Sequence, residues 1–546
     1  MLPDGIGFSF ASLTPGRPRP PERIRRRGES RGRPLVARAA ATGLRFRSSG
    51  RVACFDHSRG QLMNNEAILS RRSALKLGGT IGSAALLGSC SGTSAPLSAA
   101  EPPKQATDLR QRVFAKVWST PLIDTHEHLC DEHERLPGGG AKGADDWSVL
   151  LSGYLGSDLL TAGMPPDAHG KFYSTGPSPR EKWKLLEPYW PAVKNTGYGQ
   201  AARISLRELY GVADLSAESV EKAQQGYERW RRPGFYQRIL CDQAKIESCQ
   251  VNWLKSPFLE SRMPTLLMQD ISIVGMFAGP NLSMFGPPTG IAVAHLADWH
   301  KVIDWWFAKY GRYAVAVKSQ DAYRRDIDYQ KVPAEKVSEI FVKKAKGQPV
   351  SADDQKSLED HLFWYAVQKA TEWNLPVKLH TGYYAGQNGM PLSRLIRNAG
   401  SACDLCRAAP DTRFIFMHLG YPYCEEWIAL AKHYANAYVD MCWGWIINPV
   451  AAKDFLKKYL VTAPANKILT FGGDYFYVEQ VVGHAAIARH GIALALCELV
   501  EEGWLRMDDA MDLVDPIMHS NARRIFRLSE KEPTLRNAPW IKIKAR

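Results

Sequence analysis

From about residue 115 onward, short apolar or β-branched runs alternate with longer stretches whose apolar positions recur at helical spacing. The runs are "LIDTHEHL", "AKIESCQVNW", "TLLMQDISIVGMF", "YAVAVKSQD", "PVKLHTG", "RFIFMHLGYP", "AYVDMCWGW" and "KILTFGGDYF". Between the later ones, Trp427, Leu430, Ala431 and Tyr434 keep one helical face, as do Ile492, Leu496, Leu499 and Val500. Strands that alternate with helices predict repeated βα units and a parallel sheet, and eight such units predict an α/β fold, the (β/α)8 TIM barrel.

In that fold the active site gathers at the C-terminal ends of the strands. The polar residues of the runs stand there: His126 and His128 on the first, Lys318 on the fourth, His380 on the fifth, His418 on the sixth and Asp474 on the eighth. In an extended strand side chains alternate between faces, so His126 and His128 share one face while Thr125 and Glu127 take the other. Two neutral imidazoles on one face suit a metal ion, and three nitrogens with a carboxylate and one open position suit a catalytic zinc or manganese. A single histidine is ordinarily a hydrogen-bonded core or surface residue. Joint placement at strand ends separates these four from the rest of the chain's 14. The aromatics Tyr383, Tyr421 and Trp443, with Tyr384, Tyr423, Trp445, Tyr475 and Tyr477, cluster just after strand ends and predict a substrate with a ring or flat apolar body. Arg324, beside Arg325, is a candidate for binding a carboxylate, the alternative being a solvated helix start.

The order HxH, Lys, His, His and Asp along successive strands resembles the amidohydrolase superfamily over about residues 115 to 530, closing with "NARRIF". The stretches "MHLGYPYCEEWIALAKHYANAYVDM" and "GGDYFYVEQVVGHAAIAR" are similar to the amidohydrolase half of proteins fused to a glutamine-synthetase-like domain. The insertion after strand one, about 140–242 with "YWPAVKNTGYGQAARISLRELYGV", is similar to uronate isomerases. Because it leaves from the active-site end, it reads as a helical cap.

The resemblance implies that His126, His128 and Asp474 bind a first metal, with His380 and His418 serving a second metal or the substrate. It also implies that Asp474 is the catalytic base. One or two divalent ions are expected. A lysine in such a shell must be neutralised or drawn away. Lys318 is therefore either a carbamate bridging two metals or a side chain turned outward or paired with Asp321. The reading is a metal-dependent hydrolase of a C–N or C–O bond in a small molecule. A sugar-acid isomerase or nonoxidative decarboxylase on the same scaffold is the alternative, and a degenerate barrel serving as a binding protein is a remote one.

Charge changes the picture only at the N-terminus. Of the formal net charge of +14, residues 1–60 carry +9 and residues 61–100 another +2, so the body is nearly neutral and a nucleic-acid partner is set aside. No uninterrupted apolar run reaches the roughly 18 residues of a spanning helix. Residues 1–62 read as a disordered segment ahead of the true start. Residues 63–90 open at Met63, and their "SRRSALK" resembles a twin-arginine signal, while "LLGSC" resembles a lipoprotein cleavage box with Cys90 as the lipidated residue. Residues 91–114 read as a tether and 531–546 as a tail. The membrane is expected as a partner only through that lipid, and homo-oligomer formation stays open. Of the ten cysteines, Cys403 and Cys406 form a lone CxxC in a predicted helix, too little for a zinc site.

Replacing Arg71 and Arg72 by Lys is expected to hold the precursor in the cytoplasm, and Cys90→Ala to release the mature chain from the membrane. Fractionation of cells making the unaltered protein reads both; recovery of that protein solely in the cytosol would refute the signal.

Overall fold

The computed structural model describes residues 104–139, 145–387 and 389–544. The stretch read as an export signal, and Cys90, lie outside them. Eight parallel strands follow one another in chain order around a barrel: β1 (Leu122–Glu127), β2 (Ile246–Val251), β3 (Leu267–Ser272), β4 (Ala316–Ser319), β5 (Val377–His380), β6 (Phe414–Met417), β7 (Ala437–Asp440) and β8 (Ile468–Leu469). Each lies within one of the eight apolar runs. The strands are buried almost throughout, as expected when helices cover a parallel sheet.

The regular strand β8 ends at Leu469, well before its run does. Pairing nevertheless continues past it. Thr125 N–H donates to the Phe471 carbonyl at 3.0 Å, Asp474 N–H to His126 at 2.8 Å and His128 N–H to Tyr475 at 2.9 Å. These bonds join β1 to the segment after β8 and close the barrel.

The connection from β1 to β2 is helical, with Tyr154–Thr161, Pro166–Phe172, Pro179–Leu186, Gly197–Ser205 and Val220–Trp230 as its main pieces. Its first helix begins near the C-terminal mouth and contributes one wall of the cleft there. Arg135 ties the insertion down with a two-pronged pair to Glu479, at 2.6 and 2.9 Å, both side chains being buried. Glu479 belongs to the long helix Val478–Glu501 that follows the site.

Two sequence expectations need correction. The segment 91–114 is not wholly a tether, since a helix runs Lys104–Ser119 and buries Val113 and Val117. Arg489 fastens its end, donating to the carbonyls of Val117 at 2.8 Å and Thr120 at 2.6 Å. Residues 531–546 are not a loose tail either. Helices Leu528–Arg536 and Pro539–Lys544 bury Leu535, Ala538 and Trp540, and the Trp540 indole donates to the Ser261 carbonyl at 2.9 Å. The apolar positions there are few and widely spaced, which hides the packing from a sequence reading. Among the described residues no helix is long and apolar enough to cross a membrane.

Trp540→Ala is expected to cost about 3–5 kcal/mol of stability, the range for removing a buried tryptophan. Urea unfolding measures it; a change below 1 kcal/mol would mean that the terminal helix is not part of the cooperative unit.

Candidate metal centre

Strand alternation turns His126 and His128 to the same face, and Asp474 meets them there. The Asp474 Oδ1 atom lies 3.3 Å from His126 Nε2 and 3.2 Å from His128 Nε2. Ligands about 2.0–2.1 Å from a tetrahedral zinc stand about 3.3 Å apart, so these separations match the edges of such a coordination shell. The donor atoms of this buried trio lie within 4.8 Å of one another. His128 is oriented by its Nδ1–H, which donates to the Asn252 carbonyl at 2.7 Å and leaves Nε2 free to ligate. His126 Nδ1 has no hydrogen-bond partner and faces Asp270 Oδ2 at 4.0 Å. Asp270 is itself held by the Lys378 ammonium at 2.9 Å.

Two further carboxylates of β1 position the chain that carries Asp474. Asp124 Oδ1 accepts from the N–H groups of His126 at 3.1 Å and Gly473 at 3.2 Å, and Glu127 Oε2 accepts from Tyr475 N–H at 2.6 Å. A Cβ at residue 473 would stand 1.8 Å from Glu127 Oε1, so only glycine lets the chain pass. Burial pushes the Asp124 carboxyl up to about 6 and, with the neighbouring Asp124 charge, drives Glu127 well above the usual carboxylate range. Asp474 itself takes a left-handed φ of 62°, uncommon for a non-glycine residue. Burial alone would raise its pKa, but hydrogen bonds with His126 and His128 hold it well below the ordinary value. From the insertion, the Tyr154 hydroxyl donates to the Asp474 main-chain carbonyl.

His418, one residue past β6, also has a left-handed φ, 69°. Its Nδ1 bonds the Cys442 carbonyl at 3.1 Å, and its buried Nε2 has no hydrogen-bond partner. Burial lowers its pKa to about 3, and lowers those of His126 and His380 well below the histidine norm, so these three imidazoles are neutral. His380 lines the same cleft with its ring 4.4 Å from that of His418, but its Nε2 faces the carbonyls of Gly382 at 3.2 Å and Tyr383 at 2.9 Å. It stands outside both clusters of ligand atoms that the described residues form. Lys318 points inward. It is buried, lines the cleft and places Nζ 2.8 Å from the Met417 sulfur, while Asp321 pairs with Arg324 instead. Burial lowers the Lys318 pKa to about 8.

The cleft above these groups encloses about 1650 Å³. Tyr154, His169 and Tyr173 come from the insertion, Met284 and Phe285 from the segment after β3, and Phe476 and Tyr477 from the segment after β8. The expected aromatic contacts are partly misplaced. Tyr383, Tyr421 and Trp443 do not line the cleft. Trp443 is fully buried behind it, stacked 4.5 Å from Tyr154, with Tyr383 packed edge-on against Trp443 and Tyr421. Arg324 does line it, yet its guanidinium is engaged by Asp321 at 3.0 Å and Glu359 at 2.6 Å. Sequence reasoning missed Tyr154, Asn252, Asp270 and Cys442. Asp270 and Cys442 stood within quoted strand runs, whereas Tyr154 comes from the insertion and carries no strand signal.

Residues 330–528 match a family model described as Amidohydrolase. Protein fluG of Emericella nidulans is 27% identical over 233 residues, 40% of this chain. The chain spans only 26% of that protein's length. Among solved structures, glucuronate isomerase from Caulobacter crescentus is 15% identical, with a TM-score of 0.64 over 80% of this chain and 97% of that one. Uronate isomerase from Thermotoga maritima is 14% identical, with a TM-score of 0.62 over 77% and 97%. A protein from Lactobacillus casei ATCC 334, described as a "putative metal-dependent hydrolase", is 15% identical with a TM-score of 0.54 over 77% and 98%. At these identities the structural likeness speaks to fold. The family match over residues 330–528 and the relation to fluG thus tie the C-terminal part of the barrel to amidohydrolases, and the structural likeness gives the chain the same barrel fold.

Proposed function

We propose that the protein is a metal-dependent hydrolase that cleaves a C–N or C–O bond of a small, ring-bearing molecule outside the cytoplasm. The observation that carries this reading is the convergence of His126, His128 and Asp474 at tetrahedral spacing on the floor of an aromatic-walled cleft. A divalent ion held there by His126, His128 and Asp474, zinc or manganese, would supply Lewis acidity and lower the pKa of a water to about 7. Asp474, ionised at neutral pH, accepts the water's proton and returns it to the leaving group. His380, outside the ligand clusters but lining the cleft, faces the substrate. The depressed pKa of Lys318 supports its reaction with carbon dioxide, because the neutral amine is the reactive form.

The likeness of barrel and insertion to two uronate isomerases supports a second reading, a sugar-acid isomerase. A nonoxidative decarboxylase uses the same scaffold. Turnover of the metal-loaded protein on amides, lactones, aromatic carboxylates and uronic acids separates the three; activity confined to the last two groups would overturn the hydrolase.

His126→Ala and His128→Ala are each expected to lower bound metal and abolish turnover, whereas His433→Ala, at the exposed end of the helix Glu425–His433, leaves both unchanged. Metal analysis after dialysis reads the difference, and full occupancy in both strand variants would leave the hypothesis without a site. Asp474→Asn is expected to keep the fold and part of the metal while lowering kcat by about 10² to 10⁴, the usual worth of a general base. Turnover close to that of the parent would assign the proton transfer to another group and favour the isomerase.

A further inference from the structure

Next to the trio of His126, His128 and Asp474 stands a second one. The ligand atoms of His418, Cys442 and Asp474 also lie within 4.8 Å of one another, and all three residues are buried. Two independent features mark it as more than a chance approach. The first is the His418 ring, whose Nδ1 is fixed by the Cys442 carbonyl while its buried Nε2 is left without a partner. A buried polar nitrogen with no hydrogen bond is costly unless something else satisfies it. The second is the setting of the thiol. Cys442 is fully buried, its N–H is anchored on Asp440 Oδ1 at 2.9 Å, and the next residue, Trp443, takes a left-handed φ of 64°.

Other thiols near the barrel behave differently. Cys249 directs its sulfur at Asp124 at 3.7 Å, and Cys130 approaches the Tyr236 hydroxyl at 3.6 Å. Cys442 instead sits at the C-terminal end of β7, on the level of His418 and Asp474. The chain after β8 comes close to it. A Cβ on residue 472 would stand 2.8 Å from both Cβ and Sγ of Cys442, so Gly472 admits the cysteine where a larger residue would displace it. An inert cysteine filling apolar space is the common case in protein interiors, but such a thiol has no need of an unsatisfied imidazole and a carboxylate beside it.

We propose that Cys442, His418 and Asp474 form a second, thiolate-containing metal position beside the first, with Asp474 shared between the two. The inference rests on the metal-centre reading above and deepens it by assigning a soft ligand that the HxH, Lys, His, His, Asp pattern does not contain. A thiolate, an imidazole and a carboxylate select zinc, or cobalt as its spectroscopic substitute, over magnesium, calcium or manganese. Binding forms a metal–sulfur bond and breaks the S–H bond, and the proton leaves to solvent.

The test uses the full chain loaded with cobalt(II) and, separately, with zinc. About two ions per chain are expected, as in paired-metal sites, together with a near-ultraviolet thiolate-to-cobalt charge-transfer band. Cys442→Ser should lose the band and one ion. His126→Ala should lose the first ion and keep the band, and Cys249→Ser should keep both. X-ray absorption at the zinc edge of the unaltered protein should show sulfur at about 2.3 Å, a readout that does not depend on a variant folding. One ion without sulfur would overturn the Cys442 position and leave the first site standing. Failure to bind any ion would overturn both, and a band that survives Cys442→Ser would place the thiolate elsewhere.

Discussion

The backbone bonds that close the barrel also set the geometry of the candidate metal site. Asp474 N–H reaches back to the His126 carbonyl, and His128 N–H reaches forward to Tyr475. Through these two bonds the first strand and the segment after the eighth are locked in a register that leaves the Asp474 carboxylate between two imidazoles. A slip of one residue in β1 would turn both histidines to the opposite face and bring Glu127 in their place. Barrel closure and ligand geometry are therefore one constraint, and β1 has polar side chains on both faces because both faces serve it.

That constraint puts an unusual amount of ionisable surface out of water. Asp124, Glu127, Asp270, Asp440 and Asp474 are all buried at this end of the barrel, with the ammonium groups of Lys318 and Lys378 among them. Burial pushes Asp440 up to about 7, and Asp124 and Glu127 rise as well, while Lys378 pairs with Asp270 and also donates to the Thr125 carbonyl at 2.7 Å. Isolated buried charges are expensive, so a structure that keeps this many needs partners for them or protons on them. Left-handed backbone at His418, Trp443 and Asp474 adds local strain at the same level. Polar burial thus extends from the cleft down into the strands themselves, where Asp124, Asp270 and Lys378 lie inside the barrel wall.

Much of this was legible in the sequence because two periodicities carry it. Runs such as "RFIFMHL" announce a doubly covered strand, and the two-residue repeat puts His126 and His128 on one face with no need of tertiary information. Asp474 was legible because it follows an apolar run and two glycines, the residues that a close approach of backbone requires. The aromatics were not, because nearness to a strand end does not say which way a ring points. Trp443 turns away from the cleft through its left-handed backbone and packs on Tyr154, a residue more than 250 positions earlier. Arg324 looked like a free cation until the helix Ala352–Glu372 brought Glu359 to it. Cys442 was hidden for a different reason: in a strand run a cysteine reads as one more apolar residue, and only its neighbours show otherwise.

Both walls of the cleft are anchored, which bears on how selectivity arises. The insertion is held by the Arg135–Glu479 pair, and Tyr154 both stacks on Trp443 and donates its hydroxyl to the Asp474 main-chain carbonyl, so the cap is bonded directly to the residue that meets both histidines. Removing one partner of a buried ion pair typically costs about 3–5 kcal/mol, because the other charge is left uncompensated, and that makes lifting this wall expensive. Across the cleft, the helix Leu296–Tyr310 pins the segment after β3: its Trp299 and Trp306 indoles donate to the carbonyls of Met276 at 2.8 Å and Phe285 at 3.0 Å. A cavity fixed on both sides selects by the shape it already has, with little binding energy spent on ordering the protein. Tyr173 from the cap and Phe285 from the segment after β3 line the same cleft as Asp474, so its shape is set by cap and barrel together and neither can change it alone.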